Sequence, residues 1–600
     1  MVGVVSFGAF IPRLRLSRMS IYQSMGWFAP ALITAAQGER SFCNWDEDSL
    51  TMAVAAARDC LRGCDKNAVG GLWLGSTTLP FADRSNAGVV KTALNLRDDI
   101  ASADLGGSLR AGTGALLAAL AAVKSGDCAQ ALAVAADRRQ TRSANFPEMW
   151  YGDGAAAALV GAAGVVAEFL GAFSTTHDFV DHYRGAGKTY DYGWEERWVR
   201  DEGFAKLVPE AVAGLFGKLG MTMKEVDKFA FPCVFKAEHR KIAAALGATP
   251  AQLVDALHDH CGETGAAHPL LLLAAALETA KPGDRILIVG FGQGCDALYF
   301  RATDAIAKLP ARDGVKGSLA RKKEVDNYAK FLKFRELVPT EMGIRAEAPT
   351  QTAMTTLWRK RKMLLGLVGG KCTACGTAQF PKMNICVNPN CLAVDTQVDY
   401  EFADVPATVK TFTGDMLAVS VDPPAIYGMV QFEGGGRFMA DFTDCELADV
   451  HVGQPMRMTF RKRYTDEQRG FTGYFWKATP VGGPAAPKAV ADAPSMSVAD
   501  IFAAMPKAFR ADKAAGANVV FQYKLSGPQG GDWHLLVKDG ALEIRTGVHP
   551  QPTTTLLMSD ADFVKMTTGK LNAMEAYTTG KLKIEGDLMK SQLLGKLFRF

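Results

Sequence analysis

The sequence predicts an α/β protein of several domains, on three observations. Short apolar strands alternate with alanine-rich helices over the first 305 residues. Two stretches of that region end on the same pattern, and a tight cysteine cluster opens a β-rich segment further on. Strands alternating with helices imply an α/β sheet. Six hundred residues exceed what one core serves, so about three or four domains are expected.

Residues 1–165 supply a first half. "MVGVVSFGAF" is strand-like, "AVGGLWLGST" is an apolar strand ending in a turn, and "CAQALAVAADRR" and "GDGAAAALVGA" are buried strands. Between them, "DLGGSLRAGTGALLAALAAVKSGD" reads as a glycine-broken turn feeding a helix that is apolar on every side. A helix N-terminus stabilises negative charge, so Gly106 to Leu109 have the form of an active-site elbow. Residues 166–305 repeat the alternation, with helices "PEAVAGLFGKLG", "EHRKIAAALG" and "PLLLLAAALETA" and strands "KFAFPCVF" and "DRILIVGFGQG". In each half a buried helix is followed by "KSGD" or "KPGD" and an apolar strand, which reads as an internal duplication.

Residues 306–345 are charged and helix-prone, an excursion expected to pack on this module. In 346–480, "ATVKTFTGD", "AIYGMVQFEGGGRFMADF" and "PMRMTFRKRY" are short strands with Gly-rich turns, the pattern of a small barrel. Residues 481–497 have the composition of a flexible linker. Residues 498–600 form a separate α/β unit that opens with the amphipathic helix "VADIFAAMPKAF".

Charged residues make up 22% of the chain and the net charge is only +4, which argues against a nucleic-acid partner. No apolar stretch reaches the length of a membrane span, and the N-terminus shows no basic leader with a cleavage site. Eight of the twelve cysteines are scattered singly, as reduced thiols are, so a soluble cytoplasmic protein is expected. The other four, Cys372, Cys375, Cys386 and Cys391, follow C-x2-C, ten residues, C-x4-C. Two turns of paired thiolates close a tetrahedral zinc site with no open position, so the zinc is structural.

Residues 1–345 resemble the 3-hydroxy-3-methylglutaryl-CoA synthase branch of the thiolase superfamily, in "IPRLRLSR", "LWLGSTT", "DLGGSLRAGTGALL", "GDGAAAALVG", "DHYRG" and "AKPGDRILIVGFGQGCDA". The 346–480 segment resembles the zinc-ribbon/OB-fold module that accompanies such thiolases. The tail, with "TTGKLNAMEAYTTGKLKIEGDLMKSQLLGKL", is similar to the sterol-carrier-protein-2 domain, which encloses a lipid or acyl chain. The resemblance implies a duplicated thiolase fold of two βαβαβαββ-type halves, a homodimer, and a coenzyme A thioester as substrate. It also implies a Cys nucleophile, a Glu and a His as acid and base, and an Asn that binds substrate.

Carried over residue by residue, the nucleophile falls on Leu109, the Glu on Thr77, the His on Phe231 and the Asn on Glu263. All four are replaced. Leucine forms no acyl-enzyme and phenylalanine moves no proton. Candidates to replace them are Glu263 and His268 as acid or base, Ser108 beside the lost nucleophile, and the thiols Cys233, Cys261 and Cys295. In "DHYRG", His182 and Tyr183 are further proton donors, while Arg184 and Lys236 are candidate contacts for the CoA phosphates. His258 and His260 read as residues of a helix surface.

Three functions remain open at this level. The first is aldol or retro-aldol chemistry on a bulky or hydrophobic acyl-CoA, with Glu263 or His268 as base and backbone N–H groups of Gly292–Gly294 holding the enolate. The second is Claisen-type acyl transfer through an unorthodox thiol, Cys233 or Cys295. The third is a non-catalytic scaffold that delivers acyl-CoA.

Overall fold

Strand Gln130–Asp137 shows how the first module is layered. Ala131, Ala133 and Ala135 share a core with the helices Ala111–Ser125 and His268–Glu278, while Leu132, Val134 and Ala136 pack with the helix Ser49–Cys60. This split follows from the two-residue period of a strand. The second half repeats it. In Arg285–Phe291, Ile286 and Ile288 join the central core, and Leu287 and Val289 pack with Val208, Val212 and Leu215 of the helix Ala205–Leu219. Two central helices are thus covered on both sides by strands, and the strands by outer helices. The computed structural model describes residues 1–342, 353–481 and 497–598, apart from 515, 569–570, 572–575, 578–580 and 592.

The strands form one nine-stranded ladder in which Gly3–Phe10 meets Ala167–Thr176 at the centre. Outward from there run Gly154–Gly161, Gln130–Asp137, Val69–Gly75 and Ala101–Leu105 on one flank. The other flank runs Gly294–Ala302, Arg285–Phe291 and Lys228–Ala230. On both flanks the pairings begin antiparallel and turn parallel at the same place. The duplication read from the sequence is therefore a duplication of topology. The counterpart of Ala101–Leu105 is reduced to a single bridge between Phe229 and Leu253. The halves also approach closely. A Cβ on Gly112 would lie 2.0 Å from the Ala266 carbonyl oxygen, so only glycine fits there.

The excursion returns to the first half. Lys323–Val325 pairs with Leu14–Ser17, and Phe331 and Phe334 pack with Leu14, Leu16 and Phe42. Arg335, fully buried, donates to Asp153 at 2.5 Å and to the carbonyl of Arg139, and the Phe334 carbonyl accepts from Arg138. The excursion thereby fixes the backbone that carries Arg139.

A ribbon follows, with strands Val368–Cys372, Ala378–Gln379 and Gln397–Glu401. The next five strands, from Ala407–Asp415 to Phe471–Pro480, correct the expectation of a barrel. Their ladder is open, and its edges meet among the described residues only at the bridge from Phe442 to Ala478. This sheet is joined to the first module through buried charge. Arg461 lies 3.1 Å from Asp46, 2.8 Å from Glu47 and 2.5 Å from Asp444, and Lys477 lies 2.8 Å from Asp46. Burial would raise the Asp46 pKa, but Lys477 and Arg461 outweigh it and bring it to about 2. Burial pushes Glu47 up to about 8.

The C-terminal unit, described by itself, is a five-stranded sheet with Asn518–Ser526 at its centre. The helices Val498–Ala508 and Asp560–Thr567 pack on it through Phe502 and Phe563, whose rings stack at 5.2 Å. The expected linker falls almost wholly at 482–496, outside the described residues, as do parts of the tail segment. Among the described residues no helix is long and apolar enough to cross a membrane.

In the ribbon, the Sγ atoms of Cys372, Cys375, Cys386 and Cys391 all lie within 4.8 Å of one another, a spacing that suits four thiolates on one tetrahedral ion. The ribbon strands share a core through Leu367, Ala378 and Phe402, but between 381 and 395 only Cys386 is buried, so that stretch depends on the ion. Chelation is expected to release one zinc per chain. Hydrogen exchange across 368–401 then rises sharply while that of 130–137 stays slow; equal protection with and without metal would contradict this.

Candidate active site

The elbow read from the sequence is present, and Leu109 occupies it. Its side chain faces a cavity of ≈ 140 Å³ that Arg139, Tyr151, His182, Cys233 and Glu263 also line. Ser108 is turned away from nucleophilic duty. Its hydroxyl donates to the Gly292 carbonyl at 2.5 Å and accepts from the Arg110 N–H at 3.2 Å.

The polar floor is built around Arg139, which the sequence reading did not single out. Its guanidinium reaches Asp191 at 2.8 Å, Glu263 at 3.0 Å and the Tyr151 hydroxyl at 2.6 Å, and it is 3% exposed. Burial alone would lower the Arg139 pKa, but Tyr151, Asp191 and Glu263 outweigh it and keep the group charged. At Asp191 burial works in the opposite sense, and Arg139, His182 and Arg184 hold the carboxyl below its ordinary value. Burial pushes the Tyr151 phenol well up, so it keeps its proton.

Glu263 is positioned by backbone on both sides. Its N–H donates to the Trp150 carbonyl at 2.7 Å, and its carbonyl accepts from the Gly152 N–H at 2.8 Å. One carboxylate oxygen accepts from the Gly265 N–H at 2.9 Å and the other from Arg139. Gly265 has φ +61°, and a Cβ there would meet Asp137 at 2.3 Å, so the turn is reserved for glycine. Asp137, fully buried, spans the two halves. It accepts from the Thr77 N–H at 2.7 Å and from the Ala266 N–H at 2.7 Å.

The hairpin that pairs His182–Tyr183 with Tyr192–Gly193 forms a wall of the cavity. His182 Nδ1 is 2.9 Å from Asp181, so an Asp–His pair lines the cavity together with Glu263. Tyr183 is exposed and packs on Tyr192.

Several sequence candidates lie elsewhere. His268 is wholly buried behind the site. Its Nε2 is 3.0 Å from the Ala256 carbonyl, its Nδ1 accepts from the Thr264 N–H at 3.2 Å, and burial lowers its pKa. His258 is also buried, stacked on His268 at 5.2 Å rather than on a helix surface, whereas His260 is exposed. Cys295 and Cys261 are wholly buried core thiols outside the cavity lining, and burial pushes Cys261 up to about 12. Cys233 does line the cavity, but burial pushes its thiol up to about 12 and its Sγ points at the Phe235 carbonyl. Thr77 is committed to Asp137, and Phe231 stacks between Phe229 and His239. Arg184 is committed to Asp191 at 2.6 Å and to the Thr77 carbonyl. Lys236 pairs with Asp259 at 2.5 Å on the surface. The Gly292 N–H donates to the Gly294 carbonyl, so it is not free for an enolate.

Arg139 carries a faint signal in the sequence, and Asp191 and Tyr151 carry none. "DRR" follows directly on a buried strand, and charged groups at a strand's end before a loop are where α/β proteins place function.

Comparison with known proteins follows the modules. Family models match at 216–299 (3-oxoacyl-[acyl-carrier-protein (ACP)] synthase III C terminal), 364–395 (ChsH2, rubredoxin-like zinc ribbon domain), 401–461 (ChsH2, C-terminal OB-fold domain) and 501–599 (SCP-2 sterol transfer family). The four cysteines are therefore those of a zinc ribbon. A hydroxymethylglutaryl-CoA synthase of Archaeoglobus fulgidus is 32% identical over 345 residues, 56% of this chain and 99% of that protein. Its counterpart from Methanocaldococcus jannaschii is 30% identical over 349 residues, again 56% and 99%. The structure of MvaS in complex with 3-hydroxy-3-methylglutaryl coenzyme A is 22% identical with a TM-score of 0.49, over 59% of this chain and 95% of that one. The chain, through its first module, belongs to the hydroxymethylglutaryl-CoA synthase family of the thiolase superfamily.

Proposed function

We propose that the first module makes or breaks a carbon–carbon bond in a hydrophobic acyl-CoA by an aldol or retro-aldol route, without an acyl-enzyme. The observation that carries this reading is the pairing of Leu109 with Glu263 in one cavity. The position of the nucleophile is apolar, and the same cavity holds a carboxylate fixed by Arg139. A covalent route lacks a thiolate here, because Cys233 is held protonated by burial.

In the cleavage direction, Glu263 takes the proton of a 3-hydroxyl group. The bond between C2 and C3 breaks, C3 leaves as a carbonyl compound, and the electron pair passes into the thioester enolate, which takes its C2 proton back from Glu263 and so restores the carboxylate. Tyr151 accepts from Arg139 and stays protonated, so its own O–H is available to the enolate oxygen. Lys236 stands at the N-terminus of the helix Lys236–Ala245, next to the cavity residue Phe235. Its exposed pair with Asp259 is weak enough to yield to a CoA phosphate. The zinc has no part in these steps. The C-terminal unit supplies a lipid- or acyl-binding partner for the same substrate class.

We also read the chain as a homodimer. Ala101–Leu105 lies at the end of the nine-stranded ladder with its outer edge unpaired among the described residues, and such an edge invites a second copy. Sedimentation velocity is expected to give twice the mass of one chain; a monomer at micromolar concentration would contradict it.

Glu263→Gln keeps the shape of the side chain and removes the base. Turnover of a 3-hydroxyacyl-CoA is expected to fall about 10²–10⁴-fold, and because the variant takes one charged partner from the buried Arg139 the melting temperature falls by a few degrees while the protein still folds. Wild-type turnover in a folded Glu263→Gln protein would sink the assignment.

A further inference from the structure

One wall of the cavity is a run of touching aromatic rings. Trp150 meets Phe235 edge to face at 5.5 Å and 73°, Phe235 meets Phe204 at 6.1 Å and 79°, and Phe204 stacks on Phe291 at 4.0 Å and 23°. All four line the cavity, and Trp194, 60% exposed, stands on the hairpin at its side. From this wall we infer that the acyl group handled here ends in a single aromatic ring carried on C3. The inference rests on the reading of the site as one for a 3-hydroxyacyl thioester.

Size supplies the first argument. The cavity offers ≈ 140 Å³ and opens on one side, which is room enough for one benzene-sized ring. The second argument is the chemistry of the wall. Rings prefer edge-to-face and offset contacts, which add about two- to tenfold in affinity per pair beyond what burial of the same area gives. An alkyl group of equal size collects only the burial. The third is placement. Glu263 and Tyr151 line the same cavity as these rings, so a substrate ring held against the aromatic side chains brings the adjoining carbon, with its hydroxyl, into the cavity that holds the base. The balanced reaction is cleavage of a 3-aryl-3-hydroxyacyl-CoA to an aromatic aldehyde and an acyl-CoA shorter by that fragment. The hydroxyl proton goes to Glu263, and the electrons of the broken bond go to the enolate and then to the new C2–H.

The test uses the full chain and three probes, 3-hydroxy-3-phenylpropanoyl-CoA, 3-hydroxybutanoyl-CoA and 3-hydroxyhexadecanoyl-CoA. Affinities are measured by calorimetry on Glu263→Gln, and aldehyde release is measured on the wild type. The phenyl compound is expected to bind at least tenfold more tightly than either of the others. Phe235→Leu, which keeps volume but removes a ring, is expected to cut the phenyl-over-butanoyl preference about two- to tenfold. Equal affinities, or a preference for the hexadecanoyl compound, would overturn the inference whatever the turnover. Phenyl preference in binding without aldehyde release would uphold the ring while removing the aldol reading.

Discussion

The site depends on one buried cation. Arg139 sits where the two halves of the duplicated sheet meet and gathers Glu263 from the second half, Asp191 from the hairpin and Tyr151 from the first. A guanidinium this deep is tolerable only when its partners are all in place, and removing one costs about 3–5 kcal/mol. The same demand explains the scaffolding around it. Arg335 of the excursion holds its backbone, and Asp137 ties the end of its strand to the turn that carries Glu263. In this chain the elbow carries Leu109, and the fixed Arg139–Glu263 ion pair lines the same cavity.

The outer modules repeat the principle. Asp46 and Glu47, from a loop of the first module, are buried against Arg461 and Lys477 of the five-stranded sheet. Buried charge is poor glue in energy but strict in alignment. The contact therefore fixes how that sheet stands on the first module more than it stabilises it. Thiolate chemistry in the molecule is confined to the ribbon, where four cysteines converge. The eight others stay isolated in cores or half-buried positions.

Much of this was legible in the sequence, for reasons that can be named. The strands Gln130–Asp137 and Arg285–Phe291 and the helices before them are bounded by glycine turns and apolar throughout, so their pattern speaks alone. The zinc ligands were legible because the spacing of thiolates is the site. Leu109 and Glu263 were placed by the residues around them. What the sequence could not show was burial in three dimensions. His268 looked reactive, but it satisfies both ring nitrogens inside a core. Arg184 looked like a free cation, but Asp191, seven residues on, claims it. Arg139 had only its place after a buried strand to mark it, because no local pattern shows that a cation's partners come from three distant segments. The five-stranded sheet was expected to close, and turn composition says nothing about whether edges meet.

The central claim is that this site works without a covalent acyl intermediate. Intact-mass spectrometry of the protein incubated with acetyl-, acetoacetyl- and longer acyl-CoAs tests it directly, with calorimetry on the same mixtures to show that the thioesters bind. The account predicts binding with the mass unchanged. An acyl adduct mapped to Cys233, Cys295 or any other side chain of the first module would contradict it.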